Sequence, residues 1–343
     1  MKRCHRMIFQ YHSRFGQWHV PNLRAYVPHE RGYYVVRTNR DGLRSSRDYA
    51  PAGSGAALRV LLFGDSFTAG EGVHNEERFS DRLERQWDGV EVINFGLDGS
   101  GIDQHWLIFE EMGDRFGGDL ILLCPLVENI RRTTVSYWPV IDRMTGKTIL
   151  VPKPYFTLEA GRLRLHHVPV PRARRSPDQA PPELQSMVAS SRNASSWGRR
   201  LSRVLTPLKP FLARAGRYQP FPQYDSSDTP AWHLTRALLA RVIEKAGTRP
   251  VVLAPLPLFY YIEEWSPPTY LARYREVAEA HPQVHLIDLL PYFHALPQDQ
   301  RRACRFRDDI HYTPLGHSVV ARGLATEFAR LGLMQPRVAE LVS

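Results

Sequence analysis

Hydrophobic positions along the chain fall into short unbroken runs separated by longer stretches of mixed polarity. Five runs read as strands: Leu58–Phe63, Val90–Phe95, Leu120–Cys124, Val251–Ala254 and Val284–Asp288. They are rich in Val, Ile and Leu and do not alternate strictly, the pattern of parallel strands covered on both faces. Between them the spacing predicts helices over Glu76–Trp87, Asp103–Phe116, Thr229–Ala246 and Pro268–Ala280. A further helix is expected over Pro314–Leu331, where Pro314 suits a first helical turn. Strands alternating with helices predict an α/β fold: a doubly wound, flavodoxin-like, mostly parallel five-stranded sheet with helices on both faces.

Two stretches stand outside that rhythm. Residues 1–57 form an N-terminal extension expected to pack on the core, with Tyr33–Arg37 strand-like and Asn39-Arg40-Asp41-Gly42 a turn. About a hundred residues separate Asn129 from the next helix, too many for a structureless loop, so a large insertion with structure of its own is expected. The expected division is an extension at 1–57, a core at 58–130 and 229–335, and an insertion or cap at 131–228. Within the insertion, Tyr137, Trp138, Val140, Tyr155, Phe156, Leu158, Leu163 and Leu165 suggest a small hairpin layer. Ser202–Ala213 has an apolar face interrupted by Pro207 and Pro210.

Of the 343 residues, 43% are hydrophobic and 23% charged, which permits a packed core and argues against global disorder. The longest apolar run, Val251 to Ile262, is about a dozen residues with two internal prolines, against about 20 for a membrane span, so no transmembrane segment is expected. Met7-Ile8-Phe9 is too short for a secretory apolar region. Cys4, Cys124 and Cys304 are too scattered for a disulfide framework or a zinc site. The expected compartment is the cytoplasm, with no cofactor and no metal. The net charge of +10 is localised. Between Gly161 and Pro220 stand twelve Lys/Arg and two acids (Asp178, Glu183), so this segment carries the whole excess. A local basic segment points to contact with an anionic surface or to a solvated loop; nucleic-acid binding is not expected.

The chemistry-bearing residues gather at the ends of the expected strands. Ser66 follows the first strand within Gly64-Asp65-Ser66-Phe67-Thr68, at the edge where doubly wound sheets place ligands. Asp308-Asp309-Ile310-His311 precedes the last helix. Asp308, three residues ahead of His311, is the expected partner of its imidazole, with Asp309 as competitor and His317 as structural. Asn94–Gly101 and Glu128-Asn129 follow the second and third strands and offer a glycine N–H and an asparagine amide as donors beside the Ser66 N–H.

Taken in order, these blocks resemble the SGNH (GDSL-type) hydrolase superfamily. Gly64–Ser66, Asn94–Gly99, Asn129 and Asp308–His311 match its four blocks, and Thr38–Arg44 ahead of them resembles a bacterial subgroup of it. The resemblance implies Ser66 as nucleophile and Asp308 and His311 as its partners. It further implies Ser66, Gly99 and Asn129 as the oxyanion hole, and ester hydrolysis; the aromatic and basic insertion beside these blocks adds the expectation of an O-acyl ester of a saccharide or small metabolite. Phe67 replaces the usual Leu, and Val127-Glu128-Asn129-Ile130 lacks the usual glycine and aspartate of the third block. The alternatives are acyl transfer on the same residues, or a non-catalytic module binding an anionic glycan, lipid or partner.

Overall fold

A computed structural model describes residues 8–52, 58–142, 145–185 and 218–334. The apolar face expected over 202–213 and the basic residues between Arg192 and Arg217 lie outside the described residues. In chain order, β1 (Phe9–His12) pairs antiparallel with β2 (Gly16–His19), and β3 (Arg24–His29) with β4 (Gly32–Arg37). Then come β5 (Leu58–Gly64), β6 (Val90–Asn94) and β7 (Leu120–Cys124). Two hairpins follow: β8 (Tyr137–Ile141) with β9 (Thr148–Pro152), and β10 (Tyr155–Glu159) with β11 (Arg162–His166). Last are β12 (Val251–Leu253) and β13 (Val284–Leu286). The helices used below are α1 (Ser66–Ala69), α2 (Phe79–Glu84), α3 (Ile102–Phe116), α4 (Asn129–Arg132), α5 (Pro230–Ala246), α6 (Tyr270–Glu279) and α7 (Pro314–Arg330).

The central sheet has five strands, all parallel, in the order β6-β5-β7-β12-β13. The first strand of the sheet therefore lies between the second and the third. The chain switches direction across the sheet at β5 and β7, and their carboxyl ends open the crevice where such folds bind ligands. Both strands are buried almost throughout, which explains their unbroken apolar runs. Helix α2 packs with α7, and α3 with α5, covering the two faces of a doubly wound α/β fold. Arg59 is the exception inside β5. It is tolerated because it stands opposite Glu91 on β6, with Nη2 2.6 Å from Oε2, and donates to the Phe116 carbonyl.

Local chemistry sets the element ends. Thr229 and Thr313 cap α5 and α7 through their hydroxyls, with Pro230 and Pro314 in the first turns. Strand β12 stops before Pro255, shorter than the expected run to Ala254. The helix expected over Glu76–Trp87 is broken. A 3₁₀ turn at Asn75–Glu77 precedes α2, because Arg78 is extended and turned inward, its Nη2 2.8 Å from Asp81 and its Nε donating to the Asn75 carbonyl. The insertion's hairpin layer forms as two hairpins rather than one. Of its basic residues, Arg172 stacks over Tyr11 and Arg175 over Tyr137.

The Thr38–Arg44 segment is a brace for the loop that follows Ser66. The Asn39 carboxamide oxygen accepts from the Asp41 and Leu43 N–H groups, and Gly42 has φ +73 with Trp18 where a Cβ would stand. That turn aims the buried Arg44 at the carbonyls of Ala69 (2.7 Å), Gly70 (2.5 Å) and Val73 and at Asn75 Oδ1 (3.0 Å). Replacing Arg44 by Met strands several buried carbonyls at about 1–3 kcal/mol each, so a loss of roughly 3 kcal/mol or more is expected from urea unfolding. A loss under about 1 kcal/mol would refute the bracing role.

Candidate active site

Each residue of Gly64-Asp65-Ser66-Phe67-Thr68 has a distinct physical task. A Cβ at Gly64 would stand 2.0 Å from Thr68 Oγ1 and 2.8 Å from the Cys124 carbonyl, so only glycine lets β5 turn so closely over β7. Asp65 caps α1 by accepting from the Phe67 N–H at 3.0 Å. Ser66 is the first residue of that helix. Phe67 is buried beneath His311 and Tyr312, with ring centroids at 4.7 and 4.9 Å. An aromatic ring here, where the resemblance had Leu, supports the imidazole from below.

The structure brings Ser66 and His311 together across 245 positions of sequence, Oγ to Nε2 at 2.8 Å. The other ring nitrogen, Nδ1, lies 2.5 Å from Oδ1 of Asp309. Asp308, the expected partner, is not there. It is exposed, and its backbone N–H donates to Glu30 Oε2 at 2.8 Å while the Arg307 N–H donates to Glu30 Oε1 at 2.8 Å. That clamp fixes the chain ahead of the turn and directs the next carboxylate, Asp309, inward. His317 is buried in α7 and accepts from the Phe79 N–H, a structural position.

Asn129 requires a second correction. It is fully buried at the start of α4, and its amide donates to Asp65 Oδ2 (3.0 Å) and to the Ser100 carbonyl (3.3 Å). Its two hydrogens are therefore engaged in bracing. Arg132, one turn on, adds an ion pair to the same Asp65 oxygen at 3.0 Å and a second to Glu128 at 2.7 Å. Asn94 likewise braces, donating to the Thr68 carbonyl and Ser80 and accepting from the Gly96 N–H. Gly99 has φ +71 in the loop that rests on Gly64 through Leu97 and Ser100. The backbone N–H groups of Ser66 and Gly99 have no acceptor among the described residues. Among the insertion's described aromatics, Trp138 stands beside this loop, within 4.0 Å of where a Gly99 Cβ would be and under the Arg132 guanidinium. Tyr137 and Phe156 are buried in packing, and Tyr155 stacks on His166.

Two carboxylates flank His311. Glu71 Oε2 lies 3.4 Å from Nε2, the nitrogen facing Ser66. Burial, the strongest single influence, would lower the imidazole. Glu71, the hydrogen bond and charge of Asp309, and Asp98 overcome it and raise His311 to about 9. Burial would likewise raise Asp309, but hydrogen bonds from His29 and His311 hold it well below the ordinary carboxylate range. Glu71, Asp309 and His311 also place potential metal-ligand atoms within 4.8 Å of one another. Both ring nitrogens of His311 are already engaged, by Ser66 and Asp309. Sequence reasoning ranked Asp309 behind Asp308 as the partner of His311 and missed Glu71, Arg132 and His29. Only Asp309 carried a local signal, its nearness to His311.

Comparison with solved structures finds a lipase/acylhydrolase from Enterococcus faecalis, 14% identical over 82% of this chain and 100% of that one, with a TM-score of 0.43. It also finds a member of the lipolytic G-D-S-L family from Veillonella parvula, at 16% identity over 80% and 100% of the two chains, TM-score 0.40. The acetylxylan esterase Axe2 from Geobacillus stearothermophilus matches at 12% identity over 83% and 98%, TM-score 0.41. At these identities and TM-scores the likenesses carry no argument about activity. No protein-family model and no curated protein matches the chain. No helix among the described residues is long and apolar enough to cross a membrane.

The bracing role of Asn129 predicts a stability effect. Asn129→Leu removes a donor from the buried Asp65 carboxylate and is expected to cost about 1–3 kcal/mol in urea unfolding. An amide that served only an incoming substrate would leave the unfolding midpoint where it is. A second expectation concerns His311. Its folded-state value is raised above 6.5, so folding favours the protonated ring. That stabilisation is complete below about pH 6.5 and fades as pH climbs through about 9. NMR titration of His311 is expected to show the high value in the wild type and a lower one in Glu71→Gln; an unchanged value would remove Glu71 from the account.

Proposed function

We propose that this chain is an SGNH-type serine esterase that hydrolyses an O-acyl ester, such as an O-acetyl group of a saccharide or small metabolite, through an acyl-serine intermediate. One observation carries the reading: the continuous chain of contacts from Ser66 Oγ through both nitrogens of His311 to Asp309. The order of the matching blocks supports it.

In this reading His311 Nε2 accepts the Ser66 proton as Oγ attacks the acyl carbonyl. Asp309 holds the Nδ1–H and stabilises the imidazolium that forms. The Ser66 and Gly99 N–H groups receive the oxyanion. As the tetrahedral intermediate collapses, the C–O bond to the alcohol breaks and Nε2 returns its proton to the departing oxygen. Water then gives a proton to the same nitrogen and attacks the acyl-serine, releasing the acid and restoring the hydroxyl. Asn129 and Arg132 act by holding Asp65, and through it the turn that carries Ser66.

A series of p-nitrophenyl esters from acetate to octanoate tests this. Hydrolysis by the wild type is expected to fall on the order of 10⁵–10⁶-fold in Ser66→Ala. Because only the neutral imidazole accepts a proton, kcat/KM is expected to rise with pH and level off above about 9. Hydrolysis that survives Ser66→Ala would sink the serine mechanism.

A further inference from the structure

The acid–base pair is touched by a segment that lies far from it in sequence. His29 ends β3, and Glu30 and Arg31 form the turn to β4. His29 Nε2 stands 3.4 Å from Asp309 Oδ2, the carboxylate oxygen that His311 does not use. Its other nitrogen, Nδ1, is buried and has no partner among the described residues. The tautomer that satisfies the carboxylate therefore carries its proton on Nε2. Packing holds the ring in that direction. Phe306 meets it edge-on with centroids 4.3 Å apart, and Gly72, at φ +89, passes so close that a Cβ there would stand 3.1 Å from the ring. The neighbouring residue, Glu30, takes the two consecutive N–H groups of Arg307 and Asp308. At its other end the loop closes on itself through the Arg305–Tyr312 bridge and the Phe306 N–H to the His311 carbonyl.

The physical consequence concerns rotation. A carboxylate held through one oxygen alone, as His311 holds Asp309 Oδ1 by its backbone N–H (3.1 Å) and by Nδ1, can still tilt about its Cβ–Cγ bond, and the imidazole tilts with it. A second donor on the other oxygen fixes the plane. A backbone clamp two residues earlier fixes where that plane sits. We propose that His29 and Glu30 are positioning residues for the Asp309–His311 pair, so that the N-terminal segment completes the active site rather than merely covering the core. The inference rests on the serine-esterase reading and adds to it the part that orients the acid.

The test uses the full chain and a fluorophosphonate probe, which labels an activated serine whatever the natural ester. The wild type is expected to label and Ser66→Ala not to. His29→Phe keeps the ring packing and removes the donor, and is expected to slow labelling on the order of 10–10²-fold while the chain still folds, with a small fall in its thermal midpoint. His29→Gln, which restores an N–H donor, is expected to recover most of the rate. Glu30→Gln, at the turn, is expected to slow labelling as well, and serves as the second measure should His29→Phe fail to fold. Arg31→Ala, on the same turn with only Glu77 as its partner among the described residues, is the control expected to label at the wild-type rate. Wild-type rates in His29→Phe or, failing that, in Glu30→Gln would overturn the positioning role while leaving the serine mechanism intact. A slow His29→Phe that His29→Gln does not rescue would also overturn it, since the missing donor would then not account for the effect. An unlabelled wild type would overturn the serine reading and this inference together.

Discussion

The buried carboxylate of Asp65 is the constraint around which the site is arranged. Burial pushes its protonation upward, and a charge with no solvent needs partners close at hand. It receives them from three directions: the Arg132 guanidinium, the Asn129 amide and the Phe67 N–H of the turn it caps. Each partner ties a different part of the chain to the residue next to Ser66. Arg132 also meets Glu128 and stacks on Trp138, and its carbonyl accepts from Lys153, whose ammonium pairs with Asp103. The insertion is thereby anchored to the nucleophile turn through ion pairs that lie almost wholly out of solvent. Breaking such a pair from one side is costly, on the order of 3–5 kcal/mol, so the geometry is held firmly.

That arrangement explains which features were legible in the sequence. The sheet was, because a parallel strand covered on both faces must be apolar along its length, and β5, β6 and β7 are close to the expected runs. The turn that carries Ser66 was, because Gly64 and Asp65 perform tasks that few other residues perform. The acid was not. A spacing of three residues to His311 favoured Asp308, and the decision is made by Glu30, 278 residues away, which takes the Asp308 N–H and turns Asp309 inward. Asn129 was misread for a related reason. Its amide suits an oxyanion as well as a carboxylate, and only the position of Asp65 decides between them. The broken helix at Arg78 follows the same rule: an arginine reads as a surface residue until partners set inward along the chain, the Asn75 carbonyl and Asp81, draw it in.

The electrostatics around His311 contain an opposition. Asp309 and Glu71 both favour the imidazolium, one at each ring nitrogen. A base needs the neutral ring before reaction and a stabilised cation during it. Carboxylates on both sides lower the energy of the cation at every stage, so they help the transition state and also hold the resting ring protonated. The balance depends on how far each negative charge is itself satisfied. Asp309 is shared with His29, which draws part of its charge away from His311.

Seen this way, the segment ahead of the sheet is continuous with the chemistry. Arg44 holds the carbonyls of the loop that runs from α1 to Val73, and that loop carries Glu71. The β3–β4 turn holds the loop that carries Asp309. The two contacts come from one short stretch of chain and act on the two carboxylates that set the state of His311. Orienting groups on separate loops of a doubly wound sheet would let each loop move on its own account. A continuous segment laid across both makes their positions depend on one another, so that His311, Asp309 and Glu71 keep a common geometry.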